Sequence, residues 1–299
     1  MLKRILSVVK PLPLLLSPLC SLLGVGVAHY LGFFIHWEIL IWLWLWLTTI
    51  NLGVMFLHEY FLKSQRTGLK NHKMDNGSGL NGINIDSQLK IFFLIGVVCL
   101  AVSLIPIINL IHFYRIDLPI LTVFGLVFLL IYIIELRTEW LDALGLKIFV
   151  HAFLYANLIP SISYLLQTYR MHRFLFLITF PIFFIFLALF IVISLEELKE
   201  DNSRLSATLA GKLGVINYLR LHNIVIMFVF IILLLETFID LPWRLVWPPL
   251  LVLPIAWLQI WQVNQIARGK RAALNLLVYT AIASATLTTY FITLALWLN

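Results

Sequence analysis

Read along the chain, polar positions are confined to a few short windows, and between them run stretches that are apolar on every side. "FLFLITFPIFFIFLALFIVI" is one such stretch. A helix needs about 20 apolar residues to cross a hydrocarbon layer of roughly 30 Å. Cutting the chain at its charged and Gly/Pro/Asn-rich breaks gives nine such runs, near 12–34, 38–62, 89–111, 117–136, 144–168, 172–195, 213–235, 245–265 and 273–298. Barrel strands would alternate apolar and polar residues, and these runs do not, so the pattern predicts helices. The fold class expected is an all-α membrane protein with a single transmembrane domain spanning 1–299.

Composition agrees. Hydrophobic residues make up 62% of the chain and charged residues 12%, and the mean hydropathy is +1.00, all far outside the soluble globular range. The start, "MLKRILSVVKPLPLLLSPLC", has the basic head of a signal peptide, but its apolar stretch continues to about Phe34 without a small-x-small pattern. It reads as an uncleaved first span. The two cysteines, Cys20 and Cys99, fall inside predicted spans, which leaves no disulfide framework and no metal-ligand spacing.

Charge orients the chain. With nine spans, the N-terminal side and its loops collect Lys3, Arg4, Lys10, Lys63, Arg66, Lys70, Lys73, Lys90, Arg137, Lys147, Lys199, Arg204, Lys212, Arg220, Arg268, Lys270 and Arg271. The other side holds Arg115, Arg170, Arg173 and Arg244. Basic residues accumulate in cytoplasmic loops, so the N-terminus is expected in the cytoplasm. A bacterial inner (plasma) membrane is the expected location. The net charge of +7 is then an orientation signal, and nucleic acid is not an expected partner.

The long polar connections, 63–88 and 196–212, also lie on the cytoplasmic side, and function is sought there. The first is rich in Gly, Asn and Lys, a composition that suits either a mobile lid or a plain flexible connection. The second, "EELKEDNSRLSATLAGK", gathers Glu196, Glu197, Glu200 and Asp201. If the sixth helix continues through it, Glu196 and Glu200 share one face and Glu197 and Asp201 the adjoining one. Like charges so placed repel. A divalent cation relieves them, and all-oxygen ligands suit Mg²⁺; a solvated helix end neutralised by Lys199 and Arg204 is the other reading. A second carboxylate, Glu59, stands at the cytoplasmic end of span 2 on a stripe with Asn51 and Met55, beside His58. Carboxylates at a membrane helix edge are costly and face a bundle interior, a cavity or a partner. Two acidic patches, each followed by basic residues, suit a metal-bridged diphosphate.

This arrangement resembles the UbiA superfamily of intramembrane prenyltransferases, above all its menaquinone-type, dihydroxynaphthoate-using branch. The likeness runs over nearly the whole chain. "EELKEDNSRLSATLAGKLG" is similar to the family's second acidic motif, with Glu197 and Asp201 in its acidic positions, Thr208 and Leu209 as its Thr-Leu, and Lys212 before Leu213 and Gly214. "LRTEWLDALGLKIFVHAFLYANLIPSISYLLQT" resembles the fifth-helix region and "RAALNLLVYTAIASATLTTYFITLAL" the C-terminal helix. The first motif departs: where the family has an Asn, then Asn-Asp-Tyr and a further Asp, this chain has Met55, His58, Glu59, Tyr60 and Leu62.

The resemblance implies nine helices around a central cavity open to the cytoplasm, capped by loops 63–88 and 196–212. It also implies Mg²⁺ held by Glu59, Glu197 and Asp201 with Glu200 beside them, and a prenyl diphosphate neutralised by Lys63, Arg66, Lys70 and Arg204. Asn51, His58, Tyr60 and Tyr132 would line the cavity, the two tyrosines facing a prenyl cation. The implied activity is transfer of a prenyl group to an aromatic acceptor of the kind used in quinone biosynthesis. A UbiA-type terpene cyclase, a degenerate member that binds lipid or assists another membrane enzyme, and an unrelated transporter are the alternatives. Transport predicts broken spans in two matching halves, with polar groups at mid-membrane. His151 and His222 lack a partner pattern and read as structural. Gln259, Gln262, Asn264 and Gln265 read either as the wall of a polar cavity or as interhelical hydrogen bonds.

Overall fold

The computed structural model describes residues 11–71, 79–136, 141, 145–200, 209–239, 241–268 and 274–299. Of these, 65–71, 79–88, 136 and 197–200 are described through the backbone alone. Every regular element among them is helical, as the uniformly apolar runs require: in lipid a segment must satisfy its own backbone hydrogen bonds. In order these are α1 (Pro11–Tyr30), α2 (Trp37–Asn71), α3 (Gly79–Val102), α4 (Leu104–Tyr114), α5 (Leu118–Leu136), α6 (Lys147–Phe153) and α7 (Ile159–Thr168). Then follow α8 (Arg173–Glu200), α9 (Leu209–Leu213), α10 (Val215–Glu236), α11 (Trp243–Leu250), α12 (Leu253–Ala267) and α13 (Leu274–Leu298).

Among the described residues eight helices are by themselves long and apolar enough to cross a membrane: Pro11–Tyr30, Trp37–Ser64, Leu89–Tyr114, Leu118–Glu135, Lys147–Thr168, Arg173–Glu196, Val215–Ile239 and Leu274–Leu298. The segment expected as one span over 245–265 is instead two helices, α11 and α12, bent by 44°. Proline causes the break. Pro248, Pro249 and Pro254 have no N–H for the carbonyls four residues before them. The chain turns through tighter bonds, Leu251 N to Pro248 O and Val252 N to Pro249 O, both 3.1 Å. Proline also marks the fifth span, where Pro160 leaves the Ala156 carbonyl without its α-helical partner. The turn before it, Leu154–Leu158, widens into a π-helix.

The polar connections are more helical than their composition suggested. α2 continues nine residues past Leu62, α3 begins at Gly79, and α8 runs on through Glu200. Leu, Lys and Gln in "FLKSQRTGLKN" are good helix formers that extend a helix already nucleated in the membrane.

The chain divides into two units, Met1–Ser17 with Trp37–Arg137, and Pro18–His36 with Thr138–Asn299. In the first, α2 packs against α3, α4 and α5. Gly53 and Gly96 bring α2 and α3 together, because a Cβ at either position would stand 3.1 Å from the other's carbonyl oxygen. Small residues that let backbones approach are the usual way membrane helices associate. Farther along α2, the buried Trp46 meets Phe124 of α5 edge-on, centroids 4.5 Å apart.

In the second unit α8 is the central helix, touching α6, the π turn, α10 and α13. Ser194 of α8 is hydrogen-bonded to Tyr218 of α10. The Gln167 amide clamps the turn before α2 by accepting from His36 N at 2.9 Å and donating to His36 O at 3.2 Å. Serine and threonine hydroxyls donate back to carbonyls three or four residues earlier, as Thr289 does to Ala285 O and Thr293 to Thr289 O, which lets polar residues sit inside apolar helices.

Candidate functional site

In the first unit, about two turns of α2, from Met55 to Leu62, carry the residues expected at the first acidic motif. Glu59 Oε1 accepts a salt bridge from Lys63 Nζ at 2.7 Å, a pair four residues apart on one helical face. The same ammonium lies 4.7 Å from the centroid of Phe92 on α3. His58 faces α5, where its Nδ1 is hydrogen-bonded to the Glu135 carbonyl. Tyr60 packs against Phe61 and Phe93, at 5.2 and 5.1 Å between centroids. Leu62 stands three residues beyond Glu59, on the face where the resemblance expects a carboxylate.

Asn51 lies two turns deeper, about 12 Å along the helix. It is buried, and its amide donates to Leu47 O at 2.7 Å and Ser17 Oγ at 3.4 Å. Tyr132 is on α5, 41% exposed, with its ring 6.4 Å from that of Phe128. Glu59, Lys63, His58 and Tyr60 thus fall close together near the end of the apolar span of α2, Trp37–Ser64, while Asn51 and Tyr132 stand apart from them.

In the second unit, α8 carries Glu196, Glu197 and Glu200 on one continuous helix. This meets the condition under which Glu196 and Glu200 share a face. The side chains of Glu197 and Glu200 lie outside the described residues, as do those of Arg66 and Lys70, and so do Asp201 and Arg204 altogether. Among the described residues no three His, Cys, Asp or Glu side chains converge on a common point as metal donors. The donor chemistry of the carboxylates on α2 and α8 is oxygen only, which fits Mg²⁺. The half-exposed Glu59–Lys63 pair is of the kind that contributes only about 0.3–0.5 kcal/mol.

One feature escaped the sequence reading, and another was read there only in part. Glu236, at the end of α10, is 4% exposed and its Oε2 has no partner; a single carboxylate inside "LLLETF" was its only signal. The second is a buried polar cluster joining α10, α12 and α13. His222 is fully buried, and Gln259 and Gln262 are 1% and 3% exposed. Gln259 Nε2 donates to Thr280 O, Thr280 Oγ1 to Gln262 Oε1, and Asn223 Nδ2 to Asn264 Oδ1, each at 3.0 Å. For Gln259, Gln262 and Asn264 these are interhelical hydrogen bonds, one of the two readings that the spacing of the amides left open, whereas Gln265 Oε1 is buried without a partner. His151, by contrast, is occupied locally: its Nδ1 pairs with Lys147 O at 3.0 Å and its ring lies 4.7 Å from Phe190.

No protein-family model, curated protein or solved structure matches the chain.

Proposed function

We propose that this multi-pass membrane protein transfers a prenyl group from an allylic prenyl diphosphate to a hydrophobic, aromatic acceptor within the membrane. The observation that carries the reading is the continuity of α8, whose apolar span delivers Glu196, Glu197 and Glu200 on one helical end. A second carboxylate, Glu59, near the end of the apolar span of α2, has a lysine within reach. Carboxylates gathered this way at a membrane edge call for a cationic partner. Glu59, Glu197 and Asp201, with Glu200 beside them, would hold Mg²⁺, which when bound supplies charge neutralisation for a departing diphosphate.

The chain's own side chains supply the rest. Lys63 leaves its exposed pair with Glu59 and, with Arg66, Lys70 and Arg204, takes diphosphate oxygens. The allylic C–O bond breaks with its electron pair going to the diphosphate. A new C–C bond forms to the acceptor ring, which then loses a proton, while Tyr60 presents an aromatic face to the cation. Incubating purified protein with prenyl diphosphates of several lengths, Mg²⁺ and hydroxylated aromatic acceptors tests this. Prenylated product together with released diphosphate is expected, and neither appearing with any chain length would sink the transferase reading. One observation favours a second reading, a lipid-binding relative without catalysis: Glu59 already has a cation, Lys63, and Leu62 offers no second carboxylate.

The proposed topology has nine spans, with α11 and α12 forming one broken span, the N-terminus in the cytoplasm and Asn299 outside. In a variant with Cys20 and Cys99 replaced by alanine, Asn299→Cys should react with an impermeant thiol reagent only from the extracytoplasmic side. Labelling from the cytoplasm would make α11–α12 a re-entrant element and the count eight.

A further inference from the structure

The outer seam between α10 and α12 carries two exposed arginines, Arg220 and Arg268, that the proposed reaction does not use. Arg220 lies five residues past the start of the apolar span Val215–Ile239, about 8 Å along the helix. A charge at that depth is costly and bends toward the membrane edge. Arg220 does so: its Nη1 donates to Asn217 Oδ1 at 3.5 Å, one turn nearer the start of α10. A neutral amide does not balance the charge. No Asp or Glu occurs between residues 202 and 235 or between 241 and 299, so α10 up to Leu235 and the whole of α11, α12 and α13 lack a carboxylate. The acidic end of α8 is on the wrong side. Tyr218, hydrogen-bonded to Ser194, faces α8, and two residues further on Arg220 points about 200° around the helix from it.

Arg268 follows the last turn of α12, on the outer stripe that also carries Trp257, Trp261 and Asn264. One hydrogen bond fixes how the two arginines are related. Asn223 Nδ2 donates to Asn264 Oδ1 at 3.0 Å, on the exposed surface. Asn223 is near the start of α10 and Asn264 near the end of α12, while a short link joins the other end of α10 to α11. The two helices therefore run antiparallel. Moving from the bond toward the membrane edge, Arg220 comes three residues along α10 and Arg268 four residues along α12. Both guanidiniums flank the same interhelical bond at the same end of the bundle.

The seam changes character in the opposite direction. Toward the membrane interior it offers Ile224 and Met227 of α10 and Trp257 and Trp261 of α12, each more than half exposed. A ligand that matches both parts has an anionic group at the edge and hydrocarbon beyond it. Guanidinium forks match phosphate oxygens in geometry as well as charge. Basic residues at the edge between membrane helices suit acidic lipid headgroups.

We propose that Arg220 and Arg268 form a binding site for an anionic phospholipid, which sets its phosphate between the two guanidiniums and its acyl chains along the seam of α10 and α12. The site uses none of the residues invoked for prenyl transfer and goes beyond that reading. The test is native mass spectrometry of the purified chain in mixed micelles holding equal amounts of phosphatidylglycerol and phosphatidylcholine with the same acyl chains. The first lipid retained should be phosphatidylglycerol, preferred about 25-fold, which is about fivefold for each arginine. Arg220→Gln and Arg268→Gln should each lower the preference about fivefold, and the double variant should bind the two lipids equally. Arg244→Gln, which removes an exposed arginine of α11, should leave the preference unchanged. Excess glycerol phosphate, which offers the anion without the chains, should not displace the lipid. All three arginines are exposed, so the variants are expected to fold. Equal retention of the two lipids by the parent protein, or a preference that survives in the double variant, would overturn the site. So would an equal loss in Arg244→Gln, which would mark a diffuse charge effect, or displacement by glycerol phosphate, which would mark a site for soluble phosphate.

Discussion

On the proposed prenyl-transfer reading, replacing Glu197 and Asp201 together by alanine is expected to abolish Mg²⁺-dependent binding of a prenyl diphosphate, a loss of about 100-fold or more. The magnitude follows from the tenfold to 100-fold typical of losing a residue that merely supports a metal ligand; losing two ligands cannot cost less. On the same reading Glu59→Ala should weaken that binding by about tenfold, because it would remove one proposed donor while Glu197 and Asp201 remain. Glu59 can serve although Lys63 holds it at 2.7 Å. A half-exposed pair four residues apart returns only about 0.3–0.5 kcal/mol, far less than a carboxylate gains from a divalent ion. Leu62→Asp then separates a metal site from an ordinary helix end. Without metal, a second acid three residues from Glu59 repels it and destabilises the helix slightly; with Mg²⁺, binding tightens. Titrations of the three variants with and without Mg²⁺ read both effects. Undiminished metal-dependent affinity in the double variant would reduce the acidic end of α8 to a solvated helix end.

The spans were legible because hydrophobicity in a membrane is a one-dimensional signal: a run such as that of α8 has no other stable arrangement in lipid. Span ends near charged residues, Tyr114, Glu135 and Glu196 among them, fall within a few residues of the sequence reading. The break between α11 and α12 was also written in the chain, in Pro248, Pro249 and Pro254, but counting apolar residues ignores which of them can donate a backbone hydrogen bond. The π turn at Leu154–Leu158 was hidden for the same reason. The candidate site was only partly legible. Residues close in sequence on one helix, such as Glu59 and Lys63, form their pair through helical periodicity, which spacing reveals. His222, Gln259 and Thr280 come from three different helices and meet only through packing, so spacing could mark Gln259 as polar but could not name its partners. Asn51 shows the same limit from the other side: sharing a stripe with Glu59 did not reveal that its amide is spent on Leu47 O and Ser17 Oγ.

Gly24→Ala should destabilise the protein by about 3 kcal/mol, the largest effect expected of any single added methyl group here. Gly24 lies in the part of α1 that belongs to the second unit, against α7. A Cβ built there would stand 2.1 Å from the Pro160 carbonyl oxygen and 2.2 Å from Ser163 Oγ. Neither atom can yield cheaply. Pro160 is fixed by its ring at the junction of the π turn and α7, and Ser163 Oγ is buried and donates to that same Pro160 oxygen at 2.9 Å. Relief therefore requires α1 and α7 to separate, which opens voids along a contact whose stability in lipid rests on close packing. In an unconstrained helix the same change would stabilise by about 1 kcal/mol through alanine's better propensity. Gly125 of α5 supplies that control, since a Cβ there meets nothing within 4 Å. Equilibrium unfolding in mixed detergent micelles should place Gly125→Ala at or above the parent protein and Gly24→Ala well below it. Ser163→Ala combined with Gly24→Ala should recover only part of the loss, because the Pro160 oxygen remains. Equal stability of the two alanine variants would mean that α1 and α7 are not in contact at Gly24.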